Sequence, residues 1–74
     1  MKVTVRLFGR LMERYGFSEK EVEVPEPCTA GDLVRRVGIE EAPLALSRNA
    51  EMVRPDEKLR DGDRVLIAPI FSGG

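Results

Sequence analysis

The chain opens on an alternation, with Val3, Val5 and Leu7 apolar and Lys2, Thr4 and Arg6 polar between them. A period of two predicts a half-buried first strand whose Val3, Val5 and Leu7 face a core. Gly9 breaks the pattern. Leu11 and Tyr15 then lie four apart, the spacing of one helix face, and Gly16 follows as a stop, which predicts a short helix over Arg10–Tyr15. The alternation returns in Glu21–Val24, with Val22 and Val24 on one face and Glu21 and Glu23 on the other. Pro25 and Pro27 end this second strand.

Thr29-Ala30-Gly31-Asp32 has the spacing of a capping box, with Asp in the place usually held by Glu or Gln. It predicts a main helix over Ala30–Val37, with Leu33, Val34 and Val37 as the buried stripe and Arg35 and Arg36 toward water. Gly38 is expected as its left-handed cap. Leu44–Ser47 reads as a third strand, Asn49-Ala50-Glu51 as a turn, and Met52-Val53 as a brief return strand before Pro55. Asp61-Gly62-Asp63 is a tight turn, and Arg64–Ile70 is the last strand and the most apolar. No linker, repeat or low-complexity stretch interrupts this order, so residues 1–74 are expected to form one α+β domain with the main helix on one face of a sheet. A central position for the last strand, with cover on both faces, would account for its continuous apolar run.

Charge and composition narrow the function. Lys and Arg number 12 against 13 Asp and Glu, a net charge of −1, so there is no basic stripe for nucleic acid. The longest apolar run, Val65–Phe71, is too short to cross a membrane. The alternating start is no signal-peptide core, and a single cysteine fits a reducing, cytoplasmic setting. There is no histidine, so Ser/His and Cys/His nucleophile systems and His-ligated metal sites are excluded. At 74 residues the core is small, and the sparse inventory suits a carrier or binder better than an enzyme.

The C-terminal third carries a more specific pattern. Leu59-Arg60-Asp61-Gly62-Asp63-Arg64-Val65, an apolar strand, and Pro69-Ile70-Phe71-Ser72-Gly73-Gly74 resemble the ubiquitin-like β-grasp sulfur carriers, the MoaD/ThiS family. Those proteins end in an L-x-D-G-D-x-V turn, a strand and a terminal Gly-Gly. The segment Leu7–Gly16 resembles the helix-bearing part of molybdopterin synthase small subunits, and Thr29–Leu33 the start of their main helix. The thiazole-forming carriers usually lack the first helix, which favours the molybdopterin branch. Two departures are a short connection between Gly38 and Leu44 and a tail reading "APIF" where many molybdopterin subunits have adjacent prolines.

The resemblance implies a β-grasp fold, a mixed sheet of four to five strands with one main helix and a short extra one. It implies that the Gly74 carboxylate is adenylated and then becomes a thiocarboxylate that donates sulfur. Phe71, Ser72 and Gly73 would thread the flexible tail into a partner's site, where glycine's lack of Cβ suits a narrow channel. No cofactor would be bound, since ATP and magnesium serve a ubiquitin-activating-type adenylyltransferase. The other partners would be the large subunit of molybdopterin synthase and a sulfur donor such as a cysteine desulfurase or rhodanese.

Alternation in the last strand sends Val65 and Ile67 inward and Leu66, Ala68 and Ile70 outward, and Phe8 also falls on the outer face. By the same resemblance, the positions of Phe8, Met52 and Ala68 are similar to the family's docking surface for the activating enzyme and the large subunit. The alternative is that Phe8 and Leu66 pack under a loop. Three other features are read as structural: Cys28 as a small packing residue before the helix cap, Arg35-Arg36 as a solvated face, and Gly31 as part of no phosphate loop. Alternative destinations are thiazole or thiamine synthesis, transfer-RNA thiolation, and protein modification through an isopeptide bond at Gly74.

Overall fold

Val3, Val5 and Leu7 are buried, as their alternation requires, and Lys2 and Arg6 between them are exposed. The computed structural model describes residues 1–41 and 43–70. Its elements are β1 (Lys2–Leu7), α1 (Arg10–Tyr15), β2 (Glu19–Glu23), α2 (Ala30–Val37), β3 (Leu44–Arg48), β4 (Glu51–Met52) and β5 (Arg64–Pro69). The five strands form one mixed sheet in the order β2-β1-β5-β3-β4. β1 and β5 run parallel at its centre, and every other pair is antiparallel.

Both helices fall where expected, and the strand ends shift by a residue or two. β2 begins at Glu19, and Val24 lies just past it, yet Val24 is buried and its N–H donates to the Met1 carbonyl at 2.9 Å. β4 is Glu51–Met52 rather than Met52-Val53, because Val53 turns into the core and its N–H donates to Leu46 O at 3.0 Å. Asn49 and Ala50 link β3 to β4 with φ of 51° and 71°. Two residues in the left-handed region make the hairpin turn whose twist matches its strands.

Thr29 and Asp32 form the capping box in both directions. Thr29 Oγ1 accepts from the Asp32 N–H at 3.0 Å, and Asp32 Oδ2 accepts from the Thr29 N–H at 3.1 Å. The loop after β4 closes over this helix start, with the Ala30 and Gly31 N–H groups donating to the Glu57 and Pro55 carbonyls. A Cβ at position 31 would stand 3.1 Å from Pro55 O, so the contact favours glycine there.

Leu11 of α1 and Leu33 of α2 join Val3, Val5, Val65 and Ile67 in one core cluster. Two expectations need correction. Val34 and Val37 are only half-buried, because a helix of eight residues seats Ala30 and Leu33 on the sheet and Ile39, past the Gly38 cap, takes the next core position. Val34 instead lines a surface groove with Leu44, Leu46 and Pro55. β5 is central as expected, but only its Val65 and Ile67 face is fully buried; Leu66 and Ala68 on the other face are half-buried. No helix among the described residues is long and apolar enough to cross a membrane.

Candidate functional site

The register across the sheet brings the outward side chains into rows. Arg6 pairs with Leu66, Leu66 with Ser47, and Ser47 with Met52, which sets Arg6, Leu66, Ser47 and Met52 in one row of the open face. Strand spacing puts Met52 about 10 Å from Leu66, across Ser47. The next row holds Ala68 opposite Ala45. Phe8 follows β1 and donates its N–H to the Ile67 carbonyl at 3.0 Å, so it enters beside Ala68. Ile70 ends this side of β5, its N–H donating to Pro43 O at 3.2 Å.

The predicted outward set, Phe8, Met52, Leu66, Ala68 and Ile70, therefore lies on one face. Phe8 is 61% exposed, Met52 75% and Ile70 46%. Among the described residues no loop covers Phe8, which speaks against its packing beneath one. An apolar set of this kind, rimmed by charge, is characteristic of a protein contact surface. Its rim is ionic. Glu19 Oε1 lies 3.3 Å from Arg6 Nε and 3.7 Å from Arg64 Nη2, and all three side chains are well solvated. Pairs so exposed contribute little to stability, so their effect is on the charge of the rim.

Sequence reading missed two parts of this face. Ala45 and Ser47 sit between β5 and β4 because of pairings that no local pattern reveals. Met12, on α1, is 40% exposed; as the residue after Leu11 it lies about 100° round the helix from the side that enters the core. Phe71, Ser72, Gly73 and Gly74 lie outside the described residues.

The turn that precedes β5 explains the L-x-D-G-D-x-V pattern. Leu59 is buried, and its N–H donates to the Cys28 carbonyl at 2.8 Å. Asp61 Oδ1 accepts from the Lys2 N–H at 2.7 Å, and Gly62, at φ 86°, donates to the Lys2 carbonyl. Asp63 is buried and accepts from the Arg60 N–H at 2.8 Å. The motif pins the start of β5 to the start of β1, and β5 then runs toward the C-terminal glycines.

Cys28 is 1% exposed, and burial with the nearby Asp32 carboxylate pushes its thiol pKa up, Arg36 opposing. A raised pKa means less thiolate and a weaker nucleophile. This agrees with a packing role.

The model of the ThiS family matches residues 5–74. The molybdopterin synthase sulfur carrier subunit of Chlamydomonas reinhardtii is 31% identical over 83 residues, spanning all of both chains. A Pyrococcus furiosus protein assigned as subunit 1 of a molybdopterin converting factor superposes with a TM-score of 0.84 at 31% identity, over 93% of this chain and 97% of that one. SAMP1 from Haloferax volcanii superposes with a TM-score of 0.79 at 26% identity over the whole of both chains. With its β-grasp sheet, its Asp-Gly-Asp turn and a family match over nearly its full length, the chain belongs to the ThiS family of sulfur carriers.

Proposed function

We infer that this chain is a sulfur carrier whose Gly74 carboxylate is activated as an acyl-adenylate, converted to a thiocarboxylate and used to deliver sulfur, in the role of the small subunit of molybdopterin synthase. The observation that carries this reading is that one strand serves both needs. β5 holds Leu66 and Ala68 of the contact face, and Ile70 follows it directly on the way to Gly74. A partner seated on that face has the base of the tail at its edge. From Ile70, four further residues reach at most roughly 14 Å when extended, enough to enter a neighbouring active site.

The chemistry divides accordingly. A carboxylate oxygen is a poor leaving group, so the adenylate must form before sulfur attacks the carbonyl carbon. Sulfur then takes the place of AMP. The chain supplies the acyl group and the docking face, and the adenylyltransferase supplies ATP, magnesium and the acid–base groups. A large molybdopterin synthase subunit and a cysteine desulfurase or rhodanese complete the partners in this reading, in a reducing cytoplasm that keeps Cys28 a thiol.

The similarity to SAMP1 favours a second reading in which the activated Gly74 acylates protein lysines as a modifier. Incubation with the activating enzyme, ATP and a sulfide source separates the two. A thiocarboxylate that restores molybdopterin synthesis by the large subunit supports the first reading. Lysine-linked adducts with no such transfer support the second, and loss of adenylation on deleting Gly74 is expected in both.

A further inference from the structure

Where β5 ends, the chain is held by a part of the fold unrelated to the open face. The Ile70 N–H donates to the Pro43 carbonyl at 3.2 Å. Two residues before Pro43 stands Glu41, whose side chain is only 15% exposed. Glu41 Oε1 accepts from Nε of Arg10 at 3.3 Å and from Nη2 at 3.1 Å, and Oε2 lies 3.7 Å from Arg14 Nε. Oε2 is buried without a hydrogen bond, so the guanidinium of Arg14 is what balances its charge. Next to it, the Glu40 N–H donates to the Tyr15 hydroxyl at 3.3 Å. Three side chains of α1 thus hold residues 40 and 41. At the other end of α1, the Gly9 backbone lies against Pro69, a Cβ there coming within 3.9 Å of its ring.

We propose that Glu41 is a positioning residue: with residues 40 and 41 locked to α1, it holds the Pro43 carbonyl in place and so fixes Ile70 at the end of β5. The proposal rests on the sulfur-carrier reading for its consequence, which is the aim of Gly74 into an activating enzyme. Among the described residues, the hydrogen bonds and ion pairs of Glu41 go to Arg10 and Arg14 and not to the outward set on β5. It acts through Pro43 and Ile70. The two-point grip of Arg10 on one carboxylate oxygen and the near-burial of Glu41 make this a defined geometry rather than a solvated surface pair.

The test compares wild type with Glu41→Ala and Glu41→Gln, the latter keeping an oxygen that accepts from Arg10. Amide hydrogen exchange reads the anchor directly. In Glu41→Ala the Ile70 amide should exchange about tenfold faster or more while the β1–β5 ladder keeps its protection, and Glu41→Gln should recover much of it. In steady-state adenylation the KM for the carrier should change less than kcat, because Phe8, Leu66 and Met52 are intact and only Ile70 of the outward set is loosened. The kcat of Glu41→Ala should fall roughly tenfold or more, as misplacing a reacting group by an ångström costs up to a hundredfold. Unchanged Ile70 exchange, or a KM effect without a kcat effect, would overturn the proposal. If Ile70 exchange depends on Glu41 but wild type is not adenylated at all, the carrier reading fails and the anchor stands.

Discussion

The Asn49 side-chain amide donates to the Asp63 carboxylate at 3.1 Å, joining the β3–β4 hairpin to the turn before β5. The same Asn49 accepts from the Arg64 N–H at 3.0 Å through its side chain and donates its own N–H to Arg64 O at 2.8 Å. Its side chain and backbone continue the β3–β5 ladder past the last paired strand residues. Asp63 in turn receives the Arg60 N–H. Asp63→Ala removes one acceptor from two donors in a buried place, which should cost on the order of 1–3 kcal/mol. Urea denaturation should show this as a lower midpoint with an unchanged slope. Asp61→Ala, at an exposed site, should cost less; equal losses would mean the two aspartates do the same job.

Ala50 carries a side chain at φ 71°, in the second left-handed position of the hairpin turn. That region costs an L-residue roughly 1–2 kcal/mol, and glycine is the preferred residue there. Ala50→Gly should therefore raise thermal stability despite glycine's greater unfolded-state entropy, by up to about 1 kcal/mol. A lower Tm would show that the entropy outweighs the strain.

Asp32 links stability to acid. Hydrogen bonds from the Thr29 backbone and hydroxyl, and the charge of Arg35, hold its carboxyl below the usual range. A group whose folded pKa is depressed stabilises the fold above its unfolded pKa and loses that effect as pH falls through the folded value. The stability advantage of wild type over Asp32→Asn should thus be present at neutral pH and vanish as pH drops below about 4. Thermal melts across that window check it. A difference that does not change with pH would assign the effect to capping geometry alone.

Phe8 tests the contact face. At 61% exposure it makes little of the core, so Phe8→Arg should leave the Tm within about a degree or two, as exposed substitutions usually do. Binding to the activating enzyme, or to the large subunit, should weaken at least tenfold or so, because an unpaired charge would be buried at the contact. Calorimetric titration measures it. Loss of stability in parallel with binding would place Phe8 in the core.

Local patterns carried much of the fold. The two-residue period of β1 and β5 and the Thr29–Asp32 box name strands and a helix that the structure contains with little change. Legibility ended where long-range geometry begins. Burial of Val34 was overestimated because helical period alone does not say how wide a stripe the sheet can cover. The roles of Ala45 and Ser47 come from pairing with β5, some twenty residues away in the chain. The outward set on β5 was readable from alternation because β5 is a regular strand. Glu41 was not, since a carboxylate in a connection shows no period and gains its meaning only from Arg10 and Arg14 on a helix formed far earlier.

The central claim is that sulfur is carried on the Gly74 carboxylate. Wild type and Cys28→Ser, each with a free C-terminus, are incubated with the cognate activating enzyme, ATP, magnesium and a sulfur donor, and the products are fragmented in a mass spectrometer. Both proteins should gain the mass difference of sulfur for oxygen, located on the C-terminal residue, and Gly73→Val should gain none because a β-branched side chain blocks the approach of the tail. Sulfur on Cys28 with Gly74 unmodified would contradict the account.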